Sequence, residues 1–205
     1  MNATIQQRLQ RASTCELRFD DLTRQLHATD ASHYQIVPDG VAFPKSPREA
    51  ADVIRLAIED NVPVIPRGAG TGLVGGAVGE GLVVEFARHR RGISNFDPEA
   101  RTVHVESGVV LDQLNAYLKP HGLAFGPDVA TSSRATLGGM IANNSSGARS
   151  RRFGTTIDQV VSIDVVTANG QIATVGPGNE SLPGVRAGVD ALMKRIGPAV
   201  AAHFP

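Results

Sequence analysis

The sequence predicts an α+β fold, and three observations carry that prediction. Residues 43–86 read as strand, helix, strand, glycine-rich loop and strand. Residues 93–107 and 160–175 carry the turn residues and alternation of strands instead of a helical period. Two long glycine-rich stretches, one opening at Arg67 and one spanning 126–156, follow strand or extended segments. At 205 residues the chain suffices for one large domain or two small lobes.

The elements follow in order. Residues 1–28 read as two polar helices, with Leu17, Phe19, Leu22 and Leu26 giving the second an apolar side. From Thr29 to Ser46 the chain is extended, because Pro38 and Pro44, and Pro47 just after, forbid a long helix. Ser46-Pro47-Arg48-Glu49 opens a helix with a serine cap, a proline at its first position and then an acid. That helix places Ala50, Val53, Ile54, Ala57 and Ile58 on one face. Val62–Pro66 does not alternate and reads as a strand buried on both sides, and 81–86 is a second strand. A turn at Asp97-Pro98 precedes an alternating strand through Val103 and Val105. A short helix from Val110 ends at Pro120 and Gly122. The 31 residues of 126–156 read as a loop, and a loop of that length in a compact domain implies a function. Residues 160–175 form a hairpin with Asn169-Gly170 at two positive-φ positions. The tail from Gly184 is a helix interrupted by Pro198.

Composition removes several function classes. Twenty basic residues balance twenty acidic ones, so neither nucleic acid nor an anionic membrane is expected as main partner. No run reaches the roughly 18 apolar residues of a membrane span, and the polar N-terminus is not a signal peptide. The single cysteine, Cys15, forms no internal disulfide and fits a reducing compartment. It has no neighbouring base in sequence and reads as inert.

Gly70, Gly72 and Gly75 satisfy G-x-G-x-x-G after a strand. A nicotinamide-type site of that pattern needs a helix beginning inside the glycines, and here the chain runs on through further glycines into a strand. No Gly-Lys-Ser/Thr follows, so a phosphate loop of the ATPase kind is excluded. What remains is a turn of exposed N–H groups with Arg67 at its entrance, a nest suited to an anion such as a diphosphate. A surface turn that binds nothing has the same pattern. The second stretch, with Gly138-Gly139, Asn143 and Asn144, repeats the logic and suggests the opposite wall of one long cleft for a large, flat, phosphorylated ligand. The six histidines show no ligand spacing, so no metal site is expected. Of two basic runs, 88–92 reads as a solvated turn, whereas Arg149, Arg151 and Arg152 are expected beside the cleft, where they would meet its phosphorylated ligand or an acidic substrate.

The segments "PRGAGTGL", "FGPDVATSSRATLGGMIANNSSG", "RFGTTIDQV" and "DVVTANG" resemble the FAD-binding domain of the vanillyl-alcohol oxidase/p-cresol methylhydroxylase superfamily. The resemblance is closest to the FAD-linked 2-hydroxy-acid dehydrogenases, the branch of glycolate oxidase D subunits and of D-lactate and D-2-hydroxyglutarate dehydrogenases. "LRFDDLTRQLHATDASHYQIVPDGV" resembles the start of long bacterial members fused to an iron–sulfur domain.

That resemblance implies a two-lobed FAD-binding fold of p-cresol methylhydroxylase type, truncated at its C-terminal end. An N-terminal helical segment would span 1–30, a small lobe 31–92 and a larger, incomplete lobe 93–205. Arg67, Gly68, Ala69, Gly70, Thr71, Gly72 and Leu73 would form the diphosphate loop. Pro127, Asp128 and the segment through Thr136 would line the flavin side. Gly138, Gly139, Ala142, Asn143, Asn144, Ser146 and Gly147 would pass beside the ring and ribityl chain, and Gly154 and Thr155 would complete the second wall. Members with covalent FAD hold a histidine where Thr71 stands, so non-covalent FAD is implied. The implied reaction oxidises a D-2-hydroxy acid, with electrons passing to an iron–sulfur domain or a quinone, in the cytoplasm or at the inner face of its membrane. The family's catalytic histidines have no counterpart here, so this piece is expected to carry the cleft, no catalytic residue and little activity alone. A flavin reductase of the UDP-N-acetylmuramate type and a non-catalytic fragment are the alternatives.

Overall fold

The computed structural model describes residues 1–178 and 181–203. Its centre is a four-stranded sheet of β1 (Glu16–Arg18), β2 (Gly40–Phe43), β3 (Val64–Arg67) and β4 (Leu82–Glu85), in the order β1-β2-β4-β3. β2, β4 and β3 are parallel, and β1 adds an antiparallel edge with Leu17 opposite Ala42. Every residue of β2 and β4 is buried, because both strands have a neighbour on each side and cover on each face.

Helix α1 (Ala3–Ala12) leans on this unit, and Arg8 reaches Glu59 at 2.8 Å. Helix α2 (Asp21–Leu26) follows β1. Helix α3 (Pro47–Glu59) crosses from β2 to β3. The Ser46 side chain accepts the Glu49 N–H at 3.1 Å, and the Glu49 carboxylate accepts the Lys45 N–H at 2.7 Å, so two orphan donors at the helix start are satisfied. Val53, Ala57, Val62, Leu82, Val84 and Ala42 form the first core cluster, and each large side chain there contributes about 1.5–3 kcal/mol by leaving water.

A second cluster lies under β5 (Ile93–Asp97) and β6 (Thr102–Val105), an antiparallel pair whose turn is closed by the Asp97 carboxylate on the N–H groups of Glu99 and Ala100. Helix α4 (Leu111–Leu118) supplies Leu111, Leu114 and Leu118, and α5 (Leu137–Ala142) supplies Leu137 and Met140. Helix α6 (Ser150–Phe153) follows. The hairpin of β7 (Ile163–Val166) and β8 (Ile172–Val175) packs on α3, where a Cβ on Gly170 would lie 2.9 Å from Arg55 Cβ. The last helix, α7 (Pro183–His203), buries no residue and leaves Val185, Val189, Leu192, Met193, Ile196 and Val200 exposed. Among the described residues, no helix is long and apolar enough to cross a membrane.

Several elements differ from the sequence expectation. Leu17 belongs to a strand, α2 is only six residues long, and Leu22 and Leu26 are exposed, since pairing with β2 outweighs the weak apolar period there. β3 is half-buried and not covered on both sides, because it is the sheet's outer strand. The 126–156 stretch contains α5 and α6; burial of Leu137 and Met140 overrides the poor helix propensity of Gly138-Gly139. At the last hairpin Gly170 alone has positive φ (77°), while the Asn169 side chain accepts the Gln171 N–H at 3.1 Å. Helix α7 runs through Pro198.

Candidate functional site

β3 and β4 are parallel neighbours, yet no helix joins them; the whole return from Arg67 to Leu82 is glycine-rich loop. Among the described residues, no N–H from Gly68 to Gly76 donates to another protein group. The glycines divide by physical reason. Gly70 and Gly75 have φ of 67° and 76°, which other residues adopt at a cost. Gly68 lies so close to the Thr136 hydroxyl that a Cβ would collide with it. At Gly72 and Gly76 a Cβ would meet nothing within 4 Å and φ is ordinary, so neither packing nor backbone calls for glycine. Leu73 and Val74 stand exposed at the tip.

Thr136 joins the two glycine-rich stretches. It is 2% exposed, its Oγ1 has no hydrogen-bond partner, and it sits beside Gly68 on one side and 3.3 Å from the Cβ position of Gly139 on the other. Gly138 lies against Ser107, where a Cβ would be 2.7 Å from Ser107 Cβ. Gly68 of the first stretch thus touches Thr136, which stands two residues before Gly138 in the second.

Other expected residues are placed by bonds within the protein. Asp128 accepts the Arg149 N–H at 3.1 Å and its Nε at 2.8 Å, which holds the Asp128 carboxyl below the usual carboxylate range. Gly147 packs against the Asp128 carbonyl, and Pro127 is buried. Asn143 Nδ2 donates to Gly139 O at 2.9 Å, and Asn144, with φ of 44°, accepts the Ile157 N–H at 2.9 Å. Thr155 donates its hydroxyl to Asp158 at 3.0 Å beside Gly154 with φ of 74°. Ala142 and Ser146 are exposed. Arg67 lies against Gly70 and donates to backbone carbonyls; burial lowers its pKa, while the Asp30 and Glu85 charges oppose that shift.

A concavity at the junction is lined by Ala69, Arg88, Arg91, Ser133, Arg134 and Thr136, together with Glu85, whose carboxylate accepts the Ala87 N–H at 2.8 Å and the Arg88 N–H at 3.2 Å. Arg88 and Arg91 are absent from the sequence-derived site, whereas Ser133 and Arg134 fall in the segment expected to line its flavin side. The run 88–92 reads as a solvated turn, but folding uses it: Arg90 pairs with Glu106 at 2.7 Å, and Arg88 pairs with Glu16 at 3.2 Å while lying 4.7 Å over the Phe43 ring. The basic run itself was the available signal. Of the 149–152 run, Arg149 is engaged with Asp128, and Arg152 lies 5.2 Å over the Phe153 ring. Together, the unengaged N–H groups and the three exposed arginines Arg88, Arg91 and Arg134 form a surface suited to an anion.

Comparison with known proteins gives consistent results. The family described as FAD binding domain matches residues 38–176. D-2-hydroxyglutarate dehydrogenase of Escherichia coli is 44% identical over 153 residues, covering 73% of this chain and 15% of that protein. Glycolate oxidase subunit GlcD of Bacillus subtilis is 37% identical, covering 77% of this chain and 34% of that one. D-lactate dehydrogenase of Archaeoglobus fulgidus is 35% identical over 161 residues, covering 78% and 34%. Among solved structures, an alkyldihydroxyacetonephosphate synthase superposes with a TM-score of 0.74 at 25% identity, covering 87% of this chain and 34% of that chain. Xylooligosaccharide oxidase from Myceliophthora thermophila superposes at 0.75 with 24% identity over 87% of this chain and 38% of that chain, a likeness of fold. The chain thus spans about 15% of the D-2-hydroxyglutarate dehydrogenase and about a third of the shorter relatives.

Proposed function

Because the chain belongs to the FAD-binding-domain family, we propose that it supplies the FAD cleft of a flavoenzyme that oxidises a D-2-hydroxy acid. The single observation that carries the site is the run of unengaged N–H groups at 68–76 abutting the unpartnered Thr136 hydroxyl. This donor set fits a diphosphate: the amides satisfy anionic oxygens, and the bare Cα atoms of Gly72 and Gly76 admit close approach.

In this reading residues 68–73 hold the diphosphate through the main chain. Pro127, Asp128, Thr136, Gly138, Gly139 and Ala142 line the flavin side, with Asn143, Asn144, Ser146, Gly147, Gly154 and Thr155 shaping the wall behind. Bound FAD supplies the two-electron acceptor for the hydrogen on C2 of the hydroxy acid. The protein's part here is to bind, orient and shield. Thr71 in place of a histidine favours non-covalent attachment. The D-2-hydroxyglutarate, glycolate and D-lactate relatives support the hydroxy-acid branch over the reductase alternative. The small lobe at 31–92, the larger one from 93, and transfer of electrons to an iron–sulfur centre or quinone belong to the same proposal.

The test is a titration of the purified 205-residue chain with FAD, followed by flavin fluorescence and by absorbance of the protein after desalting. One FAD retained per chain is the expected result. A colourless protein that leaves flavin fluorescence unchanged at high concentration would overturn the proposal for this chain.

A further inference from the structure

Arg67 occupies the position from which a guanidinium would be expected to meet the diphosphate, but its side chain is already engaged. Nη1 donates to Ala77 O at 2.9 Å and His27 O at 3.4 Å, and Nη2 donates to Thr29 O at 2.8 Å. Ala77 closes the far end of the glycine loop that Arg67 opens. His27 and Thr29 belong to the segment between α2 and β2. Asp30 bridges the same parts: its carboxylate accepts the Ser32 N–H at 2.8 Å and the Ala77 N–H at 3.4 Å. Next to it, the Ala31 N–H donates to Gly70 O at 2.9 Å. The Tyr34 ring lies against Gly75, where a Cβ would come within 2.6 Å.

A strap of residues 27–34 is therefore bonded along the back of the loop, with Arg67 and Asp30 as its charged fasteners. The strap lies N-terminal to the segment 38–176 that the family description covers. A loop with five glycines between Arg67 and Gly76 has high entropy when free, and its N–H groups converge on an anion only if the backbone is held. We propose that Arg67 and Asp30 form a clamp that pre-orders the glycine loop, so that Arg67 is a positioning residue for the cofactor and not a ligand of its diphosphate. This rests on the flavin reading above.

The test compares Asp30→Ala, Arg67→Ala and the double variant with the wild-type chain. Two quantities are measured: FAD affinity, and backbone ¹⁵N order parameters of residues 68–76 in the flavin-free protein. In the wild type the loop should lie near the rigid value of about 0.85, and in each variant below about 0.6. Each single variant should weaken FAD roughly 10-fold through the added ordering cost, and the double variant little more than either. Wild-type affinity in Asp30→Ala beside a large loss in Arg67→Ala would make Arg67 a direct ligand and overturn the clamp. Unchanged order parameters in Asp30→Ala would overturn it as well, even if Arg67→Ala fails to fold. A wild-type chain that takes no FAD defeats the flavin reading, and the order parameters then judge the loop clamp alone.

Discussion

The hydroxyl of Thr136 fills the place that a side chain on Gly68 would need. This contact brings the two glycine-rich stretches together, and its hydroxyl oxygen is buried without a partner. A site between the stretches thus has a tight structural joint on one side and free main-chain donors on the other.

Gly68 and Gly72 should respond oppositely to alanine. Gly68→Ala collides with Thr136 and is expected to cost about 1–3 kcal/mol of stability through overpacking, read as a lower Tm of the flavin-free chain. Gly72→Ala meets open space, so its Tm should match wild type while FAD affinity falls. Normal FAD uptake by Gly72→Ala would remove the loop from the binding surface.

Leu82 lies at 0% exposure in the middle of the sheet, between β2 and β3. Leu82→Ala should destabilise the chain by about 2–5 kcal/mol, by loss of burial plus a cavity. Urea denaturation with an unchanged m value checks it.

Asp128 titrates low because the backbone and side chain of Arg149 donate to it. Its folded value lies below the ordinary 3.8, so the stabilisation is present above pH 3.8 and is lost as pH falls through the folded value. In Arg149→Ala the Asp128 carboxyl should move up toward 3.8, a shift visible in a ¹³C-detected NMR titration. An unmoved carboxyl would show that the contact is absent in solution.

Cys15 is buried, and burial, followed by the Glu49 charge, pushes its thiol from 9.0 to about 12. Below pH 9 the thiol is neutral in both states and this contribution is fully present. As pH rises from 9 toward 12 the unfolded thiol ionises first and stability declines. Native Cys15 should react with iodoacetamide at pH 8 at least ~10-fold more slowly than the urea-unfolded chain.

Local signals were readable where a few adjacent residues decide the outcome. Ser46-Pro47 with Glu49 starts α3, Pro120 and Gly122 end the helical segment at 111–121, and the glycines after Arg67 prevent a helix before β4. The glycines around Gly70 likewise identified the first loop, because a bare backbone is visible as composition, whereas Gly138-Gly139 lie in α5, whose burial of Leu137 and Met140 was not. Leu17 was misread because its partner, Ala42, is distant in sequence, and Pro198 was overrated as a breaker because one missing N–H leaves the rest of α7 bonded.

Sequence alone marked most of the segments that extend, coil or turn, and the stretches poorest in side chains. Assembly settled the rest: that β3 is an edge, that Thr136 closes on Gly68, and that Arg67 binds Thr29 across 38 residues. Dihedral preferences and caps act within about one helical turn, whereas the destination of a long charged side chain depends on which carbonyls the packed chain brings within its reach.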